Sequence, residues 1–182
     1  MKITNATFIT SVASADKFYK TDKPIIAVAG KSNVGKSSII NMLANQKKLA
    51  KTSVTPGRTR LINYFDFGEF VLADLPGYGY AKVSQAEKDR WGKLMEDYFA
   101  ADRINLGVMI VDCRHAPTNN DITMARWFID SGCNFVVVAN KLDKVKKSQI
   151  EGNLKTIRED LELPEGCPII PFSAEKGDGK DE

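Results

Sequence analysis

The stretch GKSNVGKSS, residues 30–38, decides the fold because it joins a strand-like apolar run, residues 24–29, to a helix-like run, residues 37–43. Its letters fit the pattern G-x-x-x-x-G-K-[ST] through Gly30, Gly35, Lys36 and Ser37. In such a loop the glycines let backbone amides surround phosphate oxygens, the lysine neutralises the β and γ phosphates, and the serine hydroxyl coordinates Mg²⁺. The stretch therefore predicts a phosphate-binding loop between a strand and a helix.

Outward from this loop, short apolar runs alternate with amphipathic segments of helical length, which indicates crossover units on a mostly parallel sheet. The predicted strands lie at residues 24–30, 61–68, 69–77, 106–113, 134–141 and 168–174. The second and third are too close together to enclose a helix, so we expect them to form an antiparallel hairpin around Gly68. The sequence predicts an α/β fold with a six-stranded sheet in which one strand is reversed.

Three pairs of residues have the spacing of helix capping boxes, and each precedes a helical segment. The pairs are Ser84 with Glu87, Thr118 with Asp121, and Ser148 with Glu151. The chain stops at EKGDGKDE, where the alternation would supply one more helix. We expect one domain over residues 1–182 that lacks this final helix.

Composition indicates a small globular protein of the cytoplasm. The 182 residues are 43% hydrophobic, and 26 Lys and Arg against 23 Asp and Glu give a net charge of +3, which permits a nucleic-acid partner without requiring one. The three cysteines lack the paired spacing of a zinc site or of disulfides. No apolar run approaches the roughly 18 residues that span a bilayer.

Two further stretches favour guanine as the base. NKLD, Asn140 to Asp143, follows a predicted buried strand at the end where α/β sheets bind ligands. Asp143 can accept from N1–H and N2–H₂ of guanine, while Asn140 braces the loop and the stem of Lys141 covers the ring. FSA, Phe172 to Ala174, ends the last predicted strand and can offer the amides of Ser173 and Ala174 to guanine O6.

Two segments have the character of nucleotide switches. KTSVTPGRTR, residues 51–60, is polar and turn-prone, and one of its threonines would ligate Mg²⁺. Thr52, Thr55 and Thr59 all qualify by chemistry alone. In DLPG, Asp74 can hold Mg²⁺ through a water and the Gly77 amide can bond the γ-phosphate.

Tyr78 follows DLPG where glutamine would be expected in a hydrolase of this type. A phenol has no carboxamide to orient water and is a poor base at neutral pH, so the ring either packs inward or swings outward. Slow intrinsic turnover follows from this substitution. The lone His115 has no motif-defined partner and is interpreted as a surface loop residue.

Together, GKSNVGKSS, TPGRTR, DLPGYGYAKV, NKLD and FSA resemble a translation-factor-class GTPase. The set closely resembles the EngB-type GTP-binding proteins of bacterial ribosome assembly, above all in TPGRT and DLPGYGYAKV, and Trp91 also fits. The resemblance implies a three-layer P-loop GTPase fold with helices on both sheet faces. It also implies GTP or GDP with Mg²⁺ as ligands, and the large (50S) ribosomal subunit or its precursor, with its rRNA and ribosomal proteins, as partner.

Residue by residue, the resemblance assigns a nucleotide-binding role to four groups of positions. The phosphate loop is Gly30, Lys31, Ser32, Asn33, Val34, Gly35, Lys36, Ser37 and Ser38, with Lys36 also the candidate catalytic residue. The two switches are Gly57, Arg58, Thr59, Arg60 and Leu61, and Asp74, Leu75, Pro76 and Gly77. The base loops are Asn140, Lys141, Leu142 and Asp143, and Phe172, Ser173 and Ala174. The resemblance selects Thr59 beside Ser37 as a Mg²⁺ ligand and places Asn33 where related GTPases coordinate K⁺.

The favoured interpretation is a slow GTPase switch in 50S assembly, needed for normal growth, cell division and septation, and stimulated by its partner and by K⁺. It would act as a cytoplasmic monomer that binds neither membrane nor DNA. The alternative is a GTP- and GDP-sensing interaction module on the ribosome with little functional hydrolysis. An ATP-dependent kinase is disfavoured because of Asp143 and the absence of a separate acceptor domain.

Overall fold

Strands and helices alternate in the computed structural model, which describes residues 3, 5–51, 60–80 and 82–182. The strands are β1 (Thr7–Val12), β2 (Ile25–Gly30), β3 (Ile62–Asp66), β4 (Val71–Asp74), β5 (Leu106–Asp112), β6 (Phe135–Asn140) and β7 (Ile169–Pro171). The helices are α1 (Lys36–Leu43), α2 (Gln85–Ala100), α3 (Asn119–Asp130) and α4 (Lys147–Asp160), with 3₁₀ turns at Ala15–Lys17 and Leu142–Lys144. No helix in these described ranges is long and apolar enough to cross a membrane.

The strands form a sheet in the order β1-β3-β4-β2-β5-β6-β7. β3 is antiparallel to both of its neighbours, whereas the pairs from β4 through β7 are parallel. Phe67 N–H donates to Phe70 O at 3.0 Å, and Gly68 between them has a φ of 91°. The predicted hairpin and the single reversed strand are therefore confirmed.

β1 is the one strand of the described sheet that the sequence did not predict. It pairs with β3 at the sheet edge, where a register shift interrupts the pairing between Phe8 and Thr10. Its residues are mostly exposed or half-buried, and Phe8 is 54% exposed. Such an edge strand needs no continuous apolar run, so TFITSV carries little of the signal that identified the buried strands.

Apolar residues cover both faces of the sheet. On one face, α2, α3 and α4 contribute Met95, Tyr98, Phe128 and Ile157 to the larger hydrophobic cluster. On the other face, α1 contributes Ile39 and Ile40 to a second cluster. In β4, Val71 and Ala73 belong to the first cluster and Leu72 to the second, as the two-residue period of a strand requires. The result is the three-layer arrangement that the resemblance implies.

The helix starts partly follow the predicted capping boxes. At α3, Thr118 and Asp121 form the complete reciprocal box. At α2, Ser84 accepts from the Glu87 amide at 3.2 Å, which is half of the box. The prediction for Ser148 is wrong, because α4 begins at Lys147 and Lys146 is its cap residue with extended φ and ψ. Ser148 therefore lies inside the first turn, where the spacing to Glu151 has no capping role.

Candidate nucleotide-binding site

The phosphate loop spans the gap between Gly30, the last residue of β2, and Lys36, the first residue of α1. Asn33 and Gly35 both have left-handed backbone conformations, with φ of 63° and 97°. A side chain at position 35 would overlap the Asn140 amide, so this position requires glycine. The first amides of α1 have no acceptor one turn earlier in the helix, and their dipoles favour an anion at this end. The local geometry therefore suits a phosphate group.

Asn140 connects three of the predicted nucleotide loops. It is 2% exposed at the end of β6, where its Nδ2 donates to Val34 O at 2.9 Å. Its Oδ1 accepts from the Ala174 amide at 3.1 Å. Next to it, Lys141 Nζ donates to Asn33 O at 2.8 Å. Asn140 and Lys141 thus brace the phosphate loop from the side on which the base loops lie.

Asp143 and Ser173 meet across the two base loops. The Ser173 hydroxyl donates to Asp143 Oδ1 at 2.8 Å, and Lys144 Nζ lies 3.4 Å from Asp143 Oδ2. The hydrogen bond from Ser173 lowers the pKa of Asp143, so this carboxylate is ionised and acceptor-only at neutral pH. The amides of Ser173 and Ala174, which the sequence offers to guanine O6, donate here to Asp178 O and Asn140 Oδ1.

Lys36 and Asp74 lie side by side at the mouth of the phosphate loop. Lys36 Nζ forms an ion pair with Asp74 Oδ1 and also donates to Leu75 O at 2.8 Å. Both side chains are mostly buried. Ser37, the predicted metal ligand on the next residue of α1, has its hydroxyl 3.4 Å from Lys51 O. The structure thus brings together the lysine and the carboxylate that the sequence assigned to phosphate and metal, and Ser37 follows Lys36 in the first turn of α1.

Tyr78 packs inward, which is one of the two arrangements that the sequence left open. It is 1% exposed, and its hydroxyl donates to Asp121 Oδ1 at 2.6 Å. Its ring lies against Trp91, with 5.6 Å between centroids. Burial first, and the charge of Asp121 second, raise the pKa of Tyr78 well above 10. Tyr78 therefore remains protonated and supplies no base for an attacking water.

The two switch segments touch through Arg60. Its guanidinium lies over the Tyr80 ring, 4.6 Å from the centroid, and its Nη1 donates to Gly77 O at 3.4 Å. Gly57, Arg58 and Thr59, together with Thr52 and Thr55, lie outside the described residues. The sequence did not predict the Arg60–Tyr80 contact, because the pattern of a polar, turn-prone segment does not indicate which residue its arginine contacts.

Asp112 is a second residue of the site that the sequence analysis did not single out. It ends β5, accepts a bidentate pair of bonds from Arg114, and lies 3.5 Å from Lys141 Nζ. Burial opposes ionisation of Asp112, but the bonds from Arg114 and the charge of Lys141 outweigh it and lower its pKa to about 2. Its position at the carboxyl end of a strand was the available signal. His115 is exposed on the following loop, as predicted.

Comparison with known families matches residues 25–141 to the family described as 50S ribosome-binding GTPase. The chain is 48% identical over 184 residues to a probable GTP-binding protein EngB of Clostridium kluyveri, a match covering 100% of this chain and 93% of that protein. It is 49% identical over 185 residues to the protein of the same name from Pelotomaculum thermopropionicum, with the same coverage. The chain belongs to the EngB family of GTP-binding proteins.

A solved structure supports the same conclusion for the fold. The crystal structure of a probable GTP-binding protein engB superimposes with a TM-score of 0.74, at 26% identity, over 86% of this chain and 92% of that one. Membership of the EngB family makes this chain a P-loop GTPase, and GTPases of this family bind GTP and GDP, typically with Mg²⁺. The loops around Asn140 and Lys36 are therefore the candidate site for guanine nucleotide in this EngB protein.

Proposed function

We propose that this EngB protein is a slow GTPase switch that binds the large ribosomal subunit or its precursor in the GTP form and leaves after hydrolysis. In this role it would serve 50S assembly in the cytoplasm, as a monomer, and thereby support growth and cell division. The proposed slow rate of hydrolysis is supported by the burial of Tyr78 against Asp121, because position 78 then has no group that could orient a water. The name of the matching family, 50S ribosome-binding GTPase, supports the ribosomal partner.

Binding of a nucleotide would exchange the partners of Lys36. The β and γ phosphates would replace Asp74 as the anionic partner of Lys36, and Asp74 would then hold Mg²⁺ through a water. Ser37 and Thr59 would supply hydroxyl ligands to the same ion. In Asp74→Asn, added Mg²⁺ should therefore increase the affinity for GTP less than it does in the wild type. The affinity for GDP measured without Mg²⁺ should change little.

Selectivity for guanine would come from Asp143. Its ionised carboxylate, oriented by Ser173, suits the two donors of guanine, whereas ATP would leave it unpaired. Competition with labelled GDP tests this directly, since excess GTP should displace the label and excess ATP should not. An Asp143→Asn variant should lose affinity for GDP and gain affinity for xanthosine diphosphate, because xanthine offers an acceptor where guanine has its amino group. Displacement of labelled GDP by ATP would instead favour the ATP-dependent kinase.

A monovalent cation would assist hydrolysis at Asn33. The left-handed backbone at this position is held by the bond from Lys141 Nζ to its carbonyl oxygen, and the side chain is exposed. A K⁺ ion there would place positive charge beside the α and γ phosphates, where a water-orienting side chain is lacking. The wild type should hydrolyse GTP faster in K⁺ than in Na⁺. The Asn33→Ala variant should hydrolyse it at the same rate in both salts. Equal turnover in both salts, alone and with ribosomal subunits, would leave Asn33 with a purely structural role.

The alternative function, a GTP- and GDP-sensing module with little functional hydrolysis, is favoured by the same placement of Tyr78. Single-turnover hydrolysis with and without large subunits separates the two functions. Stimulation by the subunit supports a timed switch whose missing catalytic group comes from its partner. Nucleotide-dependent binding to the subunit without hydrolysis on the time scale of release supports the sensing module.

A further inference from the structure

Tyr78 is fixed at both its backbone and its side chain. The Ser32 amide of the phosphate loop donates to Tyr78 O at 2.8 Å, which makes a short parallel bridge between the two segments. The Tyr78 hydroxyl reaches the opposite way, to Asp121 at the start of α3. Two residues earlier in this segment, Pro76 O accepts from the Trp91 indole at 3.0 Å. Residues 76–78, where the second switch ends, are thus tied to the phosphate loop, α2 and α3.

Gly77 lies between these ties and against the phosphate loop. A Cβ at this position would be 3.6 Å from Gly30 O and 3.7 Å from Ser32 N. Among the described residues, the Gly77 amide donates to no acceptor. The Gly77 N–H shares a peptide plane with Pro76 O, which Trp91 holds, and the next peptide plane leads to the anchored Tyr78. Ties on both sides therefore limit the rotation of this amide, and the bond from Tyr78 to Asp121 is one of them. Held beside the phosphate loop, the Gly77 N–H can donate a hydrogen bond to an oxygen of a γ-phosphate bound there.

Asp121 has both of its carboxylate oxygens engaged. Oδ1 accepts from Tyr78, and Oδ2 accepts from the Thr118 amide at 2.9 Å, which closes the capping box of α3. The residue is 5% exposed, so its orientation is set by these two bonds. A rigid helix start therefore supports the hydroxyl of Tyr78 across 43 positions of sequence.

We propose that Tyr78 and Asp121 are positioning residues, which hold the Gly77 amide beside the phosphate loop so that it meets the γ-phosphate of GTP. The inference rests on the proposed switch function and deepens it. GDP has no γ-phosphate, so the pair should contribute to binding of GTP and to the hydrolytic step but not to binding of GDP. The tyrosine at position 78 then has a role in the reaction although it touches no reacting atom.

The test is Tyr78→Phe in the full chain, with Tyr98→Phe as the matched control. Tyr98 is equally buried, and its hydroxyl interacts with Tyr64 rather than with a residue of the nucleotide loops, so the control removes the same atom without touching a tie of the second switch. Affinities are measured for a non-hydrolysable GTP analogue and for GDP, together with single-turnover hydrolysis. In Tyr78→Phe the analogue should bind about tenfold more weakly and GTP should be hydrolysed more slowly, with GDP affinity within about twofold of wild type. Tyr98→Phe should change none of the three.

An equal loss of GDP and analogue affinity in Tyr78→Phe would overturn the inference, because a merely structural role predicts that result. Unchanged analogue affinity and hydrolysis would overturn it as well. Asp121→Asn provides a second variant if Tyr78→Phe folds poorly, and it should also weaken the analogue selectively. The double variant should lose no more than the stronger single variant, because both act through one bond.

The failure of this inference is distinguishable from failure of the switch itself. If the wild-type protein hydrolyses no GTP and its tryptophan fluorescence is the same with GDP and with the analogue, the proposed switch is wrong and the positioning role fails with it. If the wild type responds to the γ-phosphate and Tyr78→Phe responds equally, only the positioning role is wrong.

Discussion

Replacing Asn140 with alanine should loosen the whole nucleotide site, because this one side chain joins the phosphate loop to both base loops. The substitution removes the bond to Val34 O and the bond from the Ala174 amide. Each such bond contributes a net of about 1 kcal/mol, and leaving buried partners unpaired adds to the loss, so we expect about 2–3 kcal/mol of destabilisation. For a chain of this size, that loss lowers the melting temperature by about 4–12 °C.

Nucleotide binding should weaken as well, and this loss should not depend on the γ-phosphate. GDP and a GTP analogue both use the loops that Asn140 connects, so both affinities should fall by about tenfold or more. Titration with a fluorescent guanine nucleotide measures the affinities, and urea denaturation of the nucleotide-free chain measures the stability. The two readouts separate loss of fold from loss of site.

Asn105→Ala is the control for this experiment. Asn105 accepts a bond from the Ile25 amide at 2.8 Å, at the beginning rather than the end of β2. Its loss should destabilise the protein by about 1 kcal/mol and leave GDP affinity within about twofold, because the sites are distant. If Asn140→Ala bound GDP as tightly as the wild type, the claim that Asn140 holds the loops together would be refuted.

Three further substitutions test individual contacts. Gly35→Ala should lower GDP affinity by at least about tenfold in the same titration, because the left-handed backbone and the Asn140 amide leave no room for a methyl group. Thr118→Ala should lower the urea midpoint by the equivalent of about 1 kcal/mol through loss of the α3 cap. Asp112→Asn should cost about 1 kcal/mol at pH 7 by removing the pair with Arg114. Because the pKa of Asp112 is lowered from 3.8 to about 2, its contribution is present above about pH 4, and the urea midpoints of Asp112→Asn and wild type should converge as pH falls towards 2.

Local signals account for the parts of the fold that the sequence predicted. The run from residues 24–43 shows apolar strand, glycine turn and helix in order, and each choice agrees with its neighbours. The hairpin between β3 and β4 follows from a connection too short for a helix. Because β2, β4 and β6 are parallel in the sheet, the motifs at their carboxyl ends had to meet at one edge.

Contacts between distant residues account for the parts that were missed. Tyr78 and Asp121 have no sequence pattern that pairs them, and Asp121 already had a sufficient explanation as a capping residue. β1 is an exposed edge strand whose position depends on pairing with β3. Ser148 has the spacing of a capping box, but α4 starts one residue before it. For Tyr78 and β1, contacts between residues distant in sequence decided between local alternatives.

The most direct test of the proposed switch is co-sedimentation of the full chain with large ribosomal subunits at fixed salt, with a non-hydrolysable GTP analogue or with GDP. The account predicts that the protein pellets with the large subunit in the presence of the analogue and stays in the supernatant with GDP. Equal pelleting with both nucleotides, or none with either, would contradict it.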